Sequence, residues 1–220
     1  MPEPRLQRVI CYVDGFNLYF GLRSKGWRQY YWLDVCRLAR NLLRPGQELA
    51  FTKYFTARIS GGQRGEEAQR AARLDAKRKR QSDFLEALAT LPDFQIFEGH
   101  YLRKQVKCYA CGGTWDHHEE KMTDVKIATE LLKDAFQDAF DTALLTSADS
   151  DLVPPVLTVR EFFPDKRIVA AFPPGRTSAQ LTRAVNASFT IGRAKLKKSQ
   201  FPDQITKSDG YTLSRPGRWQ

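Results

Sequence analysis

The run Ala143-Leu144-Leu145-Thr146 leads into Ser147-Ala148-Asp149-Ser150-Asp151, and a helical pattern follows from Leu152 to Phe163. A strand, then two carboxylates spaced i, i+2, then a helix, is the punctuation of an open α/β sheet. Such sheets bind ligands beyond the carboxyl ends of their strands. Hard divalent cations take oxygen ligands, commonly one or two carboxylates beside substrate phosphates. The turn therefore reads as half of a metal site, and two other segments supply acids in matching places. Val9-Ile10-Cys11-Tyr12-Val13 is a buried-strand run that ends in Asp14-Gly15-Phe16-Asn17. Glu120-Lys121-Met122-Thr123-Asp124 opens a helix whose apolar stripe passes through Ile127, Ala128, Leu131 and Ala135, a helical period. Asp124 falls on that inward stripe, where a carboxylate is costly unless it is paired or bound to a metal.

Three blocks in this order, YVDGFNLYFGL (12–22), EEKMTDVKIATELL (119–132) and LLTSADSDLVP (144–154), resemble the signature blocks of NYN domains, which belong to the PIN-like nucleases. The resemblance covers about residues 8–191. It implies a Rossmann-like α/β fold, a three-layer sandwich around a mainly parallel sheet. It also implies a metal-dependent endoribonuclease. Carried over position by position, the family's acidic cluster falls on Asp14, Asp124, Asp149 and Asp151, with Asn17 as the polar residue of the first block. The implied cofactor is Mg²⁺ or Mn²⁺. In this reading Gly15 lets the backbone turn close to the metal; taken alone, Asp14 is equally a helix cap.

Four carboxylates drawn together repel one another, and a divalent cation relieves that repulsion. The metal would lower the pKa of a bound water and stabilise charge on the leaving oxygen. Asp14 and Asp149 are the first choices for direct ligands, with Asp124 and Asp151 holding a second ion or acting through waters. Thr146 and Ser147 are candidates for orienting water or phosphate, and Lys121 and Lys126 flank Asp124 within reach of a phosphate. No Ser-His-Asp or Cys-His arrangement and no P-loop pattern is present, which argues against covalent catalysis.

The net charge of +10 is unevenly placed. Residues 64–80 hold seven Lys/Arg against three Asp/Glu, and residues 193–220 hold seven against two. Clustered basic charge is the footprint of a polyanion partner, which the resemblance implies is RNA, expected to be single-stranded. The plainer alternative is a set of solvated helix faces. A helix from about 66 to 91 carries Arg70, Arg73, Lys77 and Arg80 on the stripe that later becomes Phe84, Leu88 and Leu91. Its first half would project a basic face to phosphates while its second half packs; alternatively Ala68, Ala72 and Ala76 pack and the cations are merely wet. The aromatic and basic stretch 26–32 suits either base stacking or core packing.

Cys108-Tyr-Ala-Cys111-Gly112-Gly113 has the form of a zinc knuckle, a zinc-tied hairpin inserted over about 108–118 beside the active site, and His117 or His118 would add ligands to a structural Zn²⁺. A metal-free thiol pair is the alternative, and a disulfide does not suit a cytosolic chain. Cys11 and Cys36 read as buried thiols. No apolar run reaches the length of a membrane span, and no signal-peptide core precedes the first strand, so a cytoplasmic location is expected. Residues 192–220 read as a basic, partly flexible extension, docking through Tyr211 and Trp219 if it docks at all. A rival to the enzyme is a regulatory protein that binds RNA or a protein on the same fold without catalysis. A homo-oligomer fits either reading.

Overall fold

The structure is a computed structural model; it describes residues 5–59 and 68–220, with the side chains of 70, 102–104 and 115–120 left out. Strand β1 (Gln7–Asp14) lies inside a seven-stranded sheet. Val9, Cys11 and Val13 enter one apolar cluster and Ile10 and Tyr12 another, so both faces of the strand are covered. On one side of β1 lie β2 (Gln47–Ala57) and β3 (Phe94–Lys107); on the other lie β5 (Thr142–Thr146), β6 (Arg167–Phe172) and β7 (Ala187–Thr190). These strands all run parallel. β4 (Thr114–Lys121) runs antiparallel to β3 and forms that edge. Without β4 the order is that of a doubly wound sheet, and its switch point falls between β1 and β5.

Helices α1 (Gly15–Ser24), α2 (Val35–Leu42) and α3 (Ala68–Leu88) cover one face, burying Leu18, Leu38 and Leu88. Helices α4 (Thr123–Phe136), α5 (Val153–Phe162) and α6 (Ala179–Ala184) cover the other, burying Ile127, Val156 and Leu181. This is the expected three-layer sandwich. The helix starts follow local chemistry. Asp14, Asp34 and Ser178 cap α1, α2 and α6 by accepting from the N–H groups of Asn17, Arg37 and Leu181, while Pro154 and Pro155 occupy the first turn of α5, where no donor is needed.

Along α3, Leu85 and Leu88 are buried while Arg73 and Lys77 are exposed. The C-terminal half packs, as its stripe suggests. Ala68, Ala72 and Ala76 are exposed, so the alternative in which the alanines pack does not hold. Tyr30 and Trp32 are buried, which assigns much of the aromatic stretch to the core.

Two regions are more regular than the sequence reading. Residues 114–121 form β4, and Cys108–Gly113 is the turn of a β3–β4 hairpin, closed by Cys108 N–H donating to Gly113 O at 2.7 Å. The glycines that suggested a knuckle serve this turn, Gly112 at φ 71. Residues 192–220, read as a partly flexible extension that either docks or stays free, dock on the domain. α7 (Arg193–Lys198) and a small hairpin of β8 (Gln204–Thr206) and β9 (Thr212–Ser214) bury Leu196, Phe201 and Leu213 in the first cluster. Trp32 Nε1 donates to the Pro202 carbonyl at 2.8 Å. Trp219 packs on the same cluster, whereas Tyr211 is 55% exposed.

Candidate active site

The ends of β1 and β5 meet at the switch point, and the chain between them and the next helices builds the site. Asp14 is 2% exposed. Its Oδ1 accepts from the Asn17 N–H at 2.9 Å, the cap of α1. Its Oδ2 accepts from the Ser147 hydroxyl at 2.8 Å. The same Ser147 oxygen accepts from the Asp149 N–H at 3.1 Å, so one hydroxyl joins the two strand ends. Burial pushes the Asp14 carboxyl above its ordinary pKa; hydrogen bonds from the Asn17 backbone, the Ser147 hydroxyl and the Asn17 side chain oppose this, and the charge of Asp149 adds to it. Asp149 is half-buried and caps the 3-10 turn Ser150–Leu152, accepting from the Asp151 N–H at 3.0 Å.

Asn17 is buried too, and its Oδ1 accepts from the Ala148 N–H at 3.3 Å and from Arg176 Nη1 at 3.2 Å. Arg176 was not singled out in the sequence; its signal is the Pro173-Pro174-Gly175 turn just beyond β6, at the carboxyl end of a strand. Gly15 is needed for packing. A Cβ there would lie 2.6 Å from the Tyr54 ring and 2.8 Å from the Phe55 carbonyl oxygen. Only glycine lets α1 start this close to β2.

The other expected site residues are placed differently. Thr146 is directed into the sheet, its Oγ1 4.0 Å from Cys11 Sγ, while Ser147 faces Asp14. Asp151 is exposed and Asp124 half-buried in the first turn of α4, which packs against that same 3-10 turn. Lys126 donates to the Glu98 carbonyl, and Lys121, at the end of β4, is half-buried. Among the described residues no three His, Cys, Asp or Glu side chains stand close enough to hold a metal ion. The structure thus brings Asp14, Asn17, Ser147 and Asp149 together and leaves the four-carboxylate cluster unassembled.

Cys108 and Cys111 share the hairpin turn, where the Cys111 and Ala110 N–H groups hold the Cys108 thiol below its ordinary pKa. His117 and His118 pair with Lys104 and Arg103, roughly 10 Å along the ladder from the turn. Their side chains, like that of Arg70, lie outside the described residues. The register keeps the histidine backbone away from the cysteines.

Residues 8–192 match the NYN domain family. The chain belongs to the NYN domain family. NYN domains are PIN-like, and this one has the sheet expected of that superfamily. A 6-hydroxy-3-succinoylpyridine 3-monooxygenase from Pseudomonas putida is 27% identical over 190 residues, matching 72% of this chain and 56% of that protein. This NYN protein thus spans little more than half the length of that curated relative. A crystal structure of a protein of unknown function from Vibrio parahaemolyticus superposes with a TM-score of 0.53 at 16% identity, covering 91% of this chain and 100% of that one. That likeness concerns the fold alone. No described helix is long and apolar enough to cross a membrane.

Proposed function

We propose that the protein is a Mg²⁺- or Mn²⁺-dependent endoribonuclease acting on single-stranded RNA. One observation carries the reading: a buried carboxylate, Asp14, at the switch point of the sheet, tied by Ser147 to a second carboxylate, Asp149. A lone buried acid with a raised pKa is a poor structural device. Paired with Asp149 it suits a hard cation, which needs only one or two protein carboxylates beside waters and substrate oxygens. Asp14 and Asp149 would hold the ion directly, and Asp124 and Asp151 would act from its periphery. Bound there, the ion supplies Lewis acidity and a water of lowered pKa.

The chain's own groups supply position. Ser147 fixes the rotamer of Asp14 and the start of the Asp149 turn. Asn17 is held by Ala148 and Arg176, and its side-chain amide also bonds the Asp14 carboxylate, so it helps to fix that acid in place. Arg176 brings a guanidinium to the same point, and guanidinium matches phosphate geometry. The basic face of α3, with Arg73, Lys77 and Arg80, offers phosphate contacts farther along the RNA.

The decisive experiment is cleavage of a labelled single-stranded RNA with Mg²⁺, Mn²⁺ or EDTA, comparing the parent and Asp149→Asn. Cleavage only by the metal-supplied parent is expected. Metal-independent binding without cleavage, unchanged in the variant, would favour the regulatory binding protein.

A further inference from the structure

Beside Asp14, between α1, α3 and the end of β2, lies a cavity of about 410 Å³, within the size range of small-molecule sites. Gly15 and Tyr54 form its wall nearest the carboxylates. Its described lining holds eight aromatic and five basic residues and no Asp or Glu. The aromatic rings stand at varied angles. Tyr19 and Tyr31 lie 5.1 Å apart, Tyr31 and Trp219 5.7 Å, and Phe84 and Trp219 6.0 Å. Phe20 is 40% exposed, with the guanidinium of Arg23 5.9 Å from its ring centre.

The cations are Arg23, Arg28, Lys77, Arg80 and Arg218. None of them forms an ion pair with a carboxylate among the described residues. Arg23, Lys77 and Arg80 share the lining; Lys77 is solvent-accessible, yet partial desolvation lowers its ammonium pKa and the charges of Arg23 and Arg80 lower it further. A site with this composition is completed by a flat ring for the aromatics and an anion for the cations. Most of the lining lies within the residues that match the family, and Arg218 and Trp219 of the C-terminal segment complete it.

We propose that this cavity receives one nucleotide of the RNA chain, with its base among the aromatic rings and its phosphate at Arg23, Lys77 and Arg80. The source of the nucleotide rests on the ribonuclease reading; the ring-and-anion chemistry does not. Base–aromatic stacking is sequence-tolerant, because every base has a π face. An unpaired nucleotide can enter the cavity, whereas a base held in a duplex cannot without being extruded. The cavity would thus select single strands and fix the register of the phosphodiester that reaches Asp14.

The test is binding, read on Asp149→Asn in EDTA so that cleavage plays no part. The probes are a fluorescein-labelled hexaribonucleotide, the same hexamer with an abasic residue at each position in turn, uridine 5′-monophosphate and uridine. Each is measured on the Asp149→Asn protein alone and with Lys77→Glu/Arg80→Glu or Phe20→Ala added, after thermal melts show that each protein is folded. One abasic position should weaken the hexamer about tenfold, as should Phe20→Ala. The charge reversal should weaken the monophosphate and the hexamer while leaving uridine unchanged. Hexamer binding that ignores every abasic position and the charge reversal overturns the proposal. Binding of the monophosphate without the hexamer overturns RNA as the source and assigns the cavity to a free heteroaromatic anion. Abasic-sensitive binding by a parent that cleaves nothing with Mn²⁺ would end the ribonuclease reading and leave the cavity proposal standing.

Discussion

Ser147 donates its hydroxyl proton to Asp14 Oδ2 at 2.8 Å, across the gap between two parallel strands whose ends lie far apart in sequence. The bond satisfies a buried carboxylate without neutralising it. Burial raises the Asp14 pKa above its unfolded value. The native state therefore holds that proton more tightly than the unfolded chain does, and stability falls as pH rises from the unfolded value, about 3.9, through the folded one. Asp14→Asn removes the penalty and keeps an acceptor for the Asn17 N–H. Its Tm should exceed that of the parent at pH 7, with the difference shrinking below about pH 4. Added Mg²⁺ should raise the parent's Tm and leave the variant's unchanged. A variant less stable than the parent at pH 7 would mean that the carboxylate is structural.

The sequence carried the sheet because its strands are continuous apolar runs, such as Val9 to Val13 and Ala143 to Leu145, and such runs need cover on both faces. It carried Asp14 and Asp149 because each ends a strand. It did not carry β4, whose TWDHHEEK has no apolar alternation; its partner strand and the glycine turn create it. It left the C-terminus open between docked and mobile, because Leu213 and Trp219 are isolated apolar residues among polar ones, and isolated residues leave no period to read. The Pro-Pro-Gly turn before Arg176 marks a strand end, but a lone arginine there becomes meaningful only when the fold brings it to Asn17.

Gly15 was expected to serve a metal, yet the atoms nearest its missing Cβ belong to Tyr54 and Phe55. Gly15→Ala should therefore destabilise the fold by about 1–3 kcal/mol, the cost of overpacking. Denaturant unfolding would measure it. Pairing the change with Tyr54→Leu should recover part of the loss, since the ring it meets is then gone.

The four cysteines divide into two pairs. Burial pushes the Cys11 thiol up to about 12, and Cys36 is raised by burial as well. Cys111 is exposed, and backbone N–H groups lower the Cys108 pKa. Because the thiolate is the reactive form, a thiol reagent at pH 7 should modify Cys108 and Cys111 rapidly. Cys11 and Cys36 should react only on unfolding. Zn²⁺ protection of the exposed pair, read by the same labelling, would show that the hairpin turn holds metal after all.

Beneath the opposite face of the sheet, Lys53 is buried and donates to Glu130 at 2.6 Å and to Asp134 at 2.8 Å, and the Tyr12 hydroxyl donates to Asp134 at 2.5 Å. Lys53→Met leaves two acids with their cation removed. It should cost about 3–5 kcal/mol, as breaking a buried pair does. The triple change Lys53→Met, Glu130→Gln, Asp134→Asn should recover much of that stability, because no unpaired charge then remains. Equal losses in the single and triple variants would place the cost in packing.

Arg176 offers the sharpest test of how the site is organised. Its Nη1 donates to Asn17 at 3.2 Å, and its guanidinium carbon lies 5.9 Å from the centre of the Phe20 ring. It is half-buried, and among the described residues its side chain meets these two. Arg176→Ala should therefore lower Tm by no more than the several degrees that one such hydrogen bond carries. Loss of a charge-assisted hydrogen bond costs about 1.5–3 kcal/mol, so RNA cleavage should fall by roughly ten- to a hundredfold. Two routes to that loss differ in their coupling. If Arg176 only positions Asn17, then Asn17→Ala should cost the same and the double variant no more, since residues acting as one unit are non-additive. If Arg176 touches a phosphate itself, the double variant should lose more than either single change. In that case Arg176→Lys should retain part of the activity, with the deficit in KM rather than kcat, because a lysine keeps the charge but not the two-pronged geometry.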